Sequence, residues 1–120
     1  MQYEPEYDGR ADGVGAFAAT LTERAVVRVT GPDRKTFLQA LITNNIDALS
    51  SDRGLYAALL TPQGKILFEF FVVELDGELL LDCASIHAAA LAARLALYRL
   101  RAQVEIALAP QMQVAVLWLR

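Results

Sequence analysis

The acid that most needs explaining in this sequence is Glu69. It stands in the run KILFEFFVVEL, where Ile66, Phe68, Phe70 and Val72 share one face of an extended chain and Leu67, Glu69, Phe71 and Val73 share the other. Both faces are otherwise apolar, and an ionised carboxylate buried there without a partner costs several kcal/mol. Glu69 must therefore look into water, pair with a cation, or be tuned for a ligand. Asn44 and Asn45 carry amides that can bond the edge of a heterocycle, although an Asn at such a place also ends helices in the left-handed conformation.

The stretch TPQGK before this run raises the question of a phosphate loop. The pattern GxxxxGK[ST] is absent, because Leu59 occupies its first glycine position and Ile66 follows Lys65. What remains is a tight turn with Pro62 and Gly64 supplying the backbone geometry. His87 has no Cys, Asp or second His at a metal or triad spacing, so it is a surface or packing residue. Cys83 is a small buried hydrophobe. Arg94, Arg99 and Arg101 fall along the second helix and its end, where cations offset the helix dipole on a solvated face. An arginine cluster of this kind could also meet a carboxylate-bearing ligand.

The elements that would position these residues follow from local pattern. RAVVRVTG (24–31) is short, β-branched and closed by Gly31, as a strand is. Pro32 then suits a first helical turn, and Phe37, Leu38, Leu41 and Ile42 form one apolar stripe, so a helix is expected over 32–43. Residues 44–54 are polar and turn-rich. LYAALLT and KILFEFFVVEL are strands joined by a PQG hairpin, and Asp76-Gly77 suits a type I′ turn leading to ELLLD, which gives a three-strand meander. SIHAAALAARLALYRLR predicts a second helix over 85–101, with Ser85 or Asp82 as its cap. QVEIAL and, after Pro110, QMQVAVLWL predict two last strands.

This order predicts an α+β fold, a mainly antiparallel sheet with two helices on one face, in a ferredoxin-like βαββαβ arrangement. Residues 1–15, rich in acids and glycine, are expected to be a mobile leader ahead of a domain over 16–120. The apolar end VAVLWLR has little sequence left to cover it, which suggests a fragment or an interface, with a homo-oligomer formed through this C-terminal strand.

At 120 residues and 55% hydrophobic content, the chain has enough length for one core. A net charge of -3 and a pI near 5.0 argue against nucleic-acid binding. No apolar run is long enough to span a bilayer, and no membrane association is expected. The single cysteine excludes an intrachain disulfide framework and fits a reducing, cytoplasmic compartment.

The segment VVRVTGPDRKTFLQALITNNIDAL, followed by LYAALLTPQGKILFEFFVV, LLLD and LALYRLRAQVEI, resembles the YgfZ-type folate-binding proteins. These are relatives of the glycine-cleavage T-protein, an aminomethyltransferase, and include iron-sulfur cluster assembly factors. The resemblance covers about Arg24 to Ile106. It implies a subdomain of the aminomethyltransferase folate-binding fold, the N-terminal part only, in an accessory protein that binds tetrahydrofolate and supports assembly or repair of iron-sulfur client enzymes. Asn45, Gln63, Lys65 and Glu69, with Tyr98 and Arg101, are the implied folate-facing residues. The transferase relatives usually carry two consecutive aspartates where this chain has Phe68-Glu69, and the family signature KGCYxGQE does not occur here. Two alternatives stand beside this reading: a folate-dependent aminomethyltransferase, and a small non-catalytic oligomerisation or regulatory module.

Overall fold

The computed structural model describes residues 16–119, so the leader expected over 1–15 lies outside the described residues. Strand β1 (Ala16–Leu21) turns directly into β2 (Arg24–Thr30), and a short helix α1 (Arg34–Gln39) follows. A single 3-10 turn (Ile46–Ala48) leads to the meander of β3 (Leu55–Leu60), β4 (Ile66–Leu75) and β5 (Glu78–Ala84). Helix α2 (Ser85–Leu97), β6 (Glu105–Leu108) and β7 (Val114–Leu119) complete the order.

Five strands form one antiparallel sheet in the order β3-β4-β5-β2-β6. Without the edge strand β3, the succession β2-α1-β4-β5-α2-β6 is the expected βαββαβ unit, with its first and third strands paired at the centre. Both helices lie on one face. Val27 and Val29 of β2, Leu79, Leu81 and Cys83 of β5, and Phe70 and Val72 of β4 point into a core closed by Phe37 and Leu38 of α1 and Leu91 and Leu95 of α2. Alternation along each strand therefore assigns Glu69, Phe71 and Val73 to the opposite face, which no helix covers.

The turns follow the sequence closely. Asp76 and Gly77 both have positive φ (52° and 76°), as a type I′ turn requires. The 61–65 turn closes on itself, with the Thr61 amide donating to the Lys65 carbonyl at 2.7 Å and the Gly64 amide to the Thr61 carbonyl at 2.9 Å. It is a hairpin, with no cradle for a phosphate.

Both helices end sooner than their apolar stripes predict. The chain leaves α1 so that Ile42 can bridge Leu59, the Thr43 amide can donate to the Ala58 carbonyl (3.1 Å), and the Thr43 hydroxyl can accept from the Ala58 amide (2.9 Å). These bonds satisfy polar groups on the outer edge of β3, which another helical turn would leave unpaired. Helix α2 stops at Leu97, and Leu100 takes a positive φ of 44° as the chain turns towards β6. There Asp33 and Gln103 exchange bonds, the Asp33 amide to the Gln103 carbonyl (3.2 Å) and the Gln103 amide to an Asp33 carboxylate oxygen (2.8 Å). Gly31 makes this approach possible: its φ is +110°, and a Cβ there would sit 2.3 Å from the Gln103 carbonyl oxygen. Neither Ser85 nor Asp82 caps α2. The Ser85 amide donates instead to the Glu23 carbonyl at 2.7 Å, across the chain rather than along it.

Strand β1 has no counterpart in the pattern expected from the sequence. It pairs with β7 along its whole length, Ala16 opposite Leu119 through Leu21 opposite Val114. One edge of the apolar C-terminal strand is thus occupied, although Val116 and Leu117 keep exposed side chains.

Candidate functional site

Three strands bring polar and aromatic groups together on the open face of the sheet. The β3–β4 register sets Tyr56 opposite Phe71 and Ala58 opposite Glu69, and the β4–β5 register sets Phe71 opposite Asp82. Tyr56 and Glu69 are diagonal neighbours, within reach of a long side chain. The Tyr56 hydroxyl donates to the Glu69 carboxylate, and its ring packs tilted against Phe71 with centroids 5.2 Å apart. Glu69 is exposed, so it escapes the penalty of burial, and it is still held in a defined orientation.

Electrostatics tie the neighbouring strands to this pair. The Glu69 carboxylate, which accepts a hydrogen bond from the phenol, holds the Tyr56 hydroxyl above the usual tyrosine range, with desolvation adding to the shift and the charge of Arg24 opposing it. Arg24 is itself fixed on Asp82, by Nε to the carboxylate at 2.8 Å and by Nη2 to the Asp82 carbonyl at 2.9 Å. Further along β2, Arg28 pairs with Glu78, and the pKa of its guanidinium is raised by that hydrogen bond and charge. Beside these charges lies an apolar groove of about 390 Å³, floored by Val26, Val73 and Leu80 and walled by Met112 and Val114. Asp82 belongs to both groove and charged row, and Val73 lies two residues beyond Phe71 on β4. A fixed carboxylate acceptor, an aromatic edge and an apolar groove of this size suit a planar heterocycle with N–H donors.

The six residues implied by resemblance do not converge on one place. Glu69 lies on the open face. Asn45 caps the 3-10 turn, its Oδ1 accepting from the Asp47 amide at 3.0 Å, and its neighbour Asn44 donates through Nδ2 to the Tyr56 carbonyl at 3.0 Å. The two asparagines therefore flank β3 near the Tyr56–Glu69 pair, and neither ends α1, whose last residue is Gln39. Gln63 and Lys65 are exposed at the tip of the β3–β4 hairpin, at the start of β4. Tyr98 and Arg101 follow α2 on the segment that meets Asp33, past the Thr30 end of β2, which is the end of the sheet away from that hairpin.

Sequence reasoning missed Tyr56, Arg24 and Asp82. Counting back from the 61–65 turn in a regular hairpin would set Ala57 opposite Glu69, and it is the register shift between Leu59 and Leu60 that makes Tyr56 its diagonal neighbour; the Arg24–Asp82 pair needs the strand order. His87 is exposed and meets Phe68 edge-on, with ring centroids 6.1 Å apart. Cys83 is buried, and desolvation pushes its thiol pKa up, with Asp82 adding to the shift and Arg24 opposing it, so the thiolate is disfavoured. Among the described residues no group of three or more His, Cys, Asp or Glu side chains is placed to hold a metal ion. No described helix is long and apolar enough to cross a membrane.

No protein-family model matches the chain. Known proteins do. The mouse mitochondrial iron-sulfur cluster assembly factor IBA57 is 35% identical over 118 aligned positions, covering 87% of this chain and 33% of the mouse protein. The human protein of the same name is 34% identical, covering 78% of this chain and 30% of its own length. Among solved structures, the glycine cleavage system aminomethyltransferase T from Bartonella henselae superposes with a TM-score of 0.72 at 18% identity, over 82% of this chain and 27% of that one. At that identity the likeness shows the fold, which is that of the aminomethyltransferase. The expectation of a cytoplasmic compartment is corrected, because these relatives are named as mitochondrial and point to the mitochondrion. A lone buried thiol excludes a disulfide within these 120 residues and says nothing about which compartment holds the protein. The chain is thus a homologue of the IBA57 iron-sulfur cluster assembly factors of the YgfZ family, spanning about a third of the length of the mouse and human relatives it matches.

Proposed function

We propose that this chain is the tetrahydrofolate-binding part of an accessory protein for iron-sulfur cluster assembly or repair. Homology to factors named for cluster assembly, over most of this chain, supports the role, and the aminomethyltransferase fold supports the ligand class. The observation that carries the reading is the Glu69 carboxylate, fixed by Tyr56 on the sheet face that no helix covers, beside an apolar groove. Glu69 accepts hydrogen bonds from the amino and ring N–H groups of the pterin, and Phe71 with the groove takes its flat, apolar surface. Asn45 borders this area from the 3-10 turn before β3, and Gln63 and Lys65 reach it from the hairpin, where Lys65 attracts the glutamyl carboxylates. Tyr98 and Arg101 act in the same ligand only where it extends beyond the sheet, so their part is the weakest.

The accessory role is favoured over aminomethyl transfer by one geometric fact. Residues 68 and 69 point to opposite faces of β4: Phe68 enters the helix side, and Glu69 is the one acid at the two positions where the transferase relatives usually carry consecutive aspartates. Calorimetric titration of the full-length polypeptide with tetrahydrofolate is the test. Binding that weakens at least about tenfold in Glu69→Gln, without turnover of a methylamine donor, supports the reading. Unchanged affinity in Glu69→Gln removes Glu69 from the site, and release of a one-carbon product from such a donor restores the enzyme alternative.

A further inference from the structure

The helix side of the molecule carries a second surface, distinct from the open face and sharing only Tyr98 and Arg101 with the folate reading. From position 83 to position 104 the chain contains no Asp or Glu, within a protein of net charge -3. The cations of that stretch, Arg94, Arg99 and Arg101, take no part in the ion pairs formed among the described residues. They are interleaved with apolar side chains that face water. Leu97 is 71% exposed and Leu100 90% exposed. Leu100 is held at a positive φ of 44°, unusual for a branched, bulky residue, at the point where the chain leaves α2. Along α2 itself Ala90 and Ala93, with Phe68 of β4, floor a shallow hollow of about 390 Å³, and Arg94 and Leu97 form its rim.

A hollow floored by small and aromatic groups accepts side chains from a partner, whereas a flat charged surface would not. Arg94 at its rim, with Arg99 and Arg101 further along the same stretch, none of them in an ion pair among the described residues, selects the opposite charge and steers its approach. We infer that the α2 face from Ala90 to Arg101 docks an acidic amphipathic segment of a partner protein, its apolar side chains in the hollow beside Phe68 and its carboxylates on Arg94, Arg99 and Arg101. Arginine suits this task because its planar fork takes a carboxylate through two parallel hydrogen bonds.

The test uses the full chain and a fluorescein-labelled model helix with leucines at i, i+3, i+4 and i+7 and glutamates along both flanks. A second helix with every Glu replaced by Gln serves as its counterpart, and binding is read by anisotropy. The acidic helix is expected to bind, with affinity falling as salt is raised. Affinity should fall at least about tenfold in the double variant Arg94→Glu/Arg99→Glu and in Leu97→Ser, each checked for native circular dichroism. The charge-reversal control Arg53→Glu, on the exposed 50–54 loop, should leave it unchanged. Equal binding of the Gln helix, or none of the acidic helix, overturns the inference. So does sedimentation with phosphatidylserine vesicles but not phosphatidylcholine vesicles when the acidic helix fails to bind, which would reassign the patch to an anionic membrane surface. Retained tetrahydrofolate binding in the arginine variants separates this result from any failure of the folate site.

Discussion

The two faces of the five-stranded sheet are built from the same strands and differ in almost everything else. On the covered face, Phe70, Val72, Leu79, Leu81, Val27 and Val29 are almost fully buried against the helices. On the open face their immediate neighbours are Glu69, Phe71, Asp82, Arg28 and Tyr56, joined by hydrogen bonds and ion pairs. One face is held throughout by burial of apolar area, which is non-directional; the other buries only a small apolar cluster, Val26 and Leu80 against Ala109, and is otherwise held by oriented polar contacts, which are weak in stability and specific in geometry. The difference teaches where function resides in such a unit. The covered face fixes strand positions, and the open face inherits that precision without contributing much to it.

The sharpest way to break the comparison is a matched pair of substitutions at adjacent positions. Phe70→Ala should cost about 3–5 kcal/mol through lost burial and the cavity left behind, whereas Phe71→Ala, half exposed, should cost less than about 1 kcal/mol. Urea unfolding of the two variants measures both, and similar midpoints would mean that the open face is covered in solution. Cys83→Ser puts a hydroxyl into the covered face at a cost of about 1–3 kcal/mol. The wild-type thiol, disfavoured as thiolate by burial, should react slowly with iodoacetamide in the native state and quickly once unfolded.

Effects on the open face should be smaller. Removing the partly exposed Arg24–Asp82 ion pair by Asp82→Asn is expected to cost about 0.5–1 kcal/mol at low salt and less as salt rises. The smallest effect is a pH dependence. Because the hydrogen bond to Glu69 raises the folded pKa of Tyr56, the neutral phenol is the favoured form. Its contribution is complete below the ordinary tyrosine range near pH 10 and fades as the pH climbs through the higher folded value. An NMR titration of ring-labelled tyrosine should show Tyr56 ionising above the ordinary tyrosine range, and Glu69→Ala should bring it back down.

Much of this architecture was legible in the sequence, for reasons that can be named. Asp76-Gly77 and Gly64 announce turns because their residue types accept positive φ, and alternation in KILFEFFVVEL assigns Glu69 to a face before any partner strand is known. The stripes in the two helices predicted their existence and overstated their length, because hydrogen bonds from Thr43 to Ala58 and from Asp33 to Gln103 compete with further helical turns. Strand β1 was invisible because AFAATL carries too little alternation and its partner lies at the far end of the chain. The six implied ligand residues came from positions along the chain, and positions along the chain do not reveal that Tyr98 and Arg101 leave the sheet at the end remote from Gln63 and Lys65.

The sequence by itself determined the local grammar of this protein: hairpin turns, strand alternation, helical stripes, a free thiol, and an arginine-bearing stretch with no acid in it. Only the tertiary structure decided which strands are neighbours. That choice joins Arg24 to Asp82 across 58 positions of chain and sets β1 against β7. Local pattern is written in nearest neighbours and survives inspection of a single segment. Strand order depends on which apolar faces can be buried together once loop-closure entropy has been overcome, and no single segment contains that information.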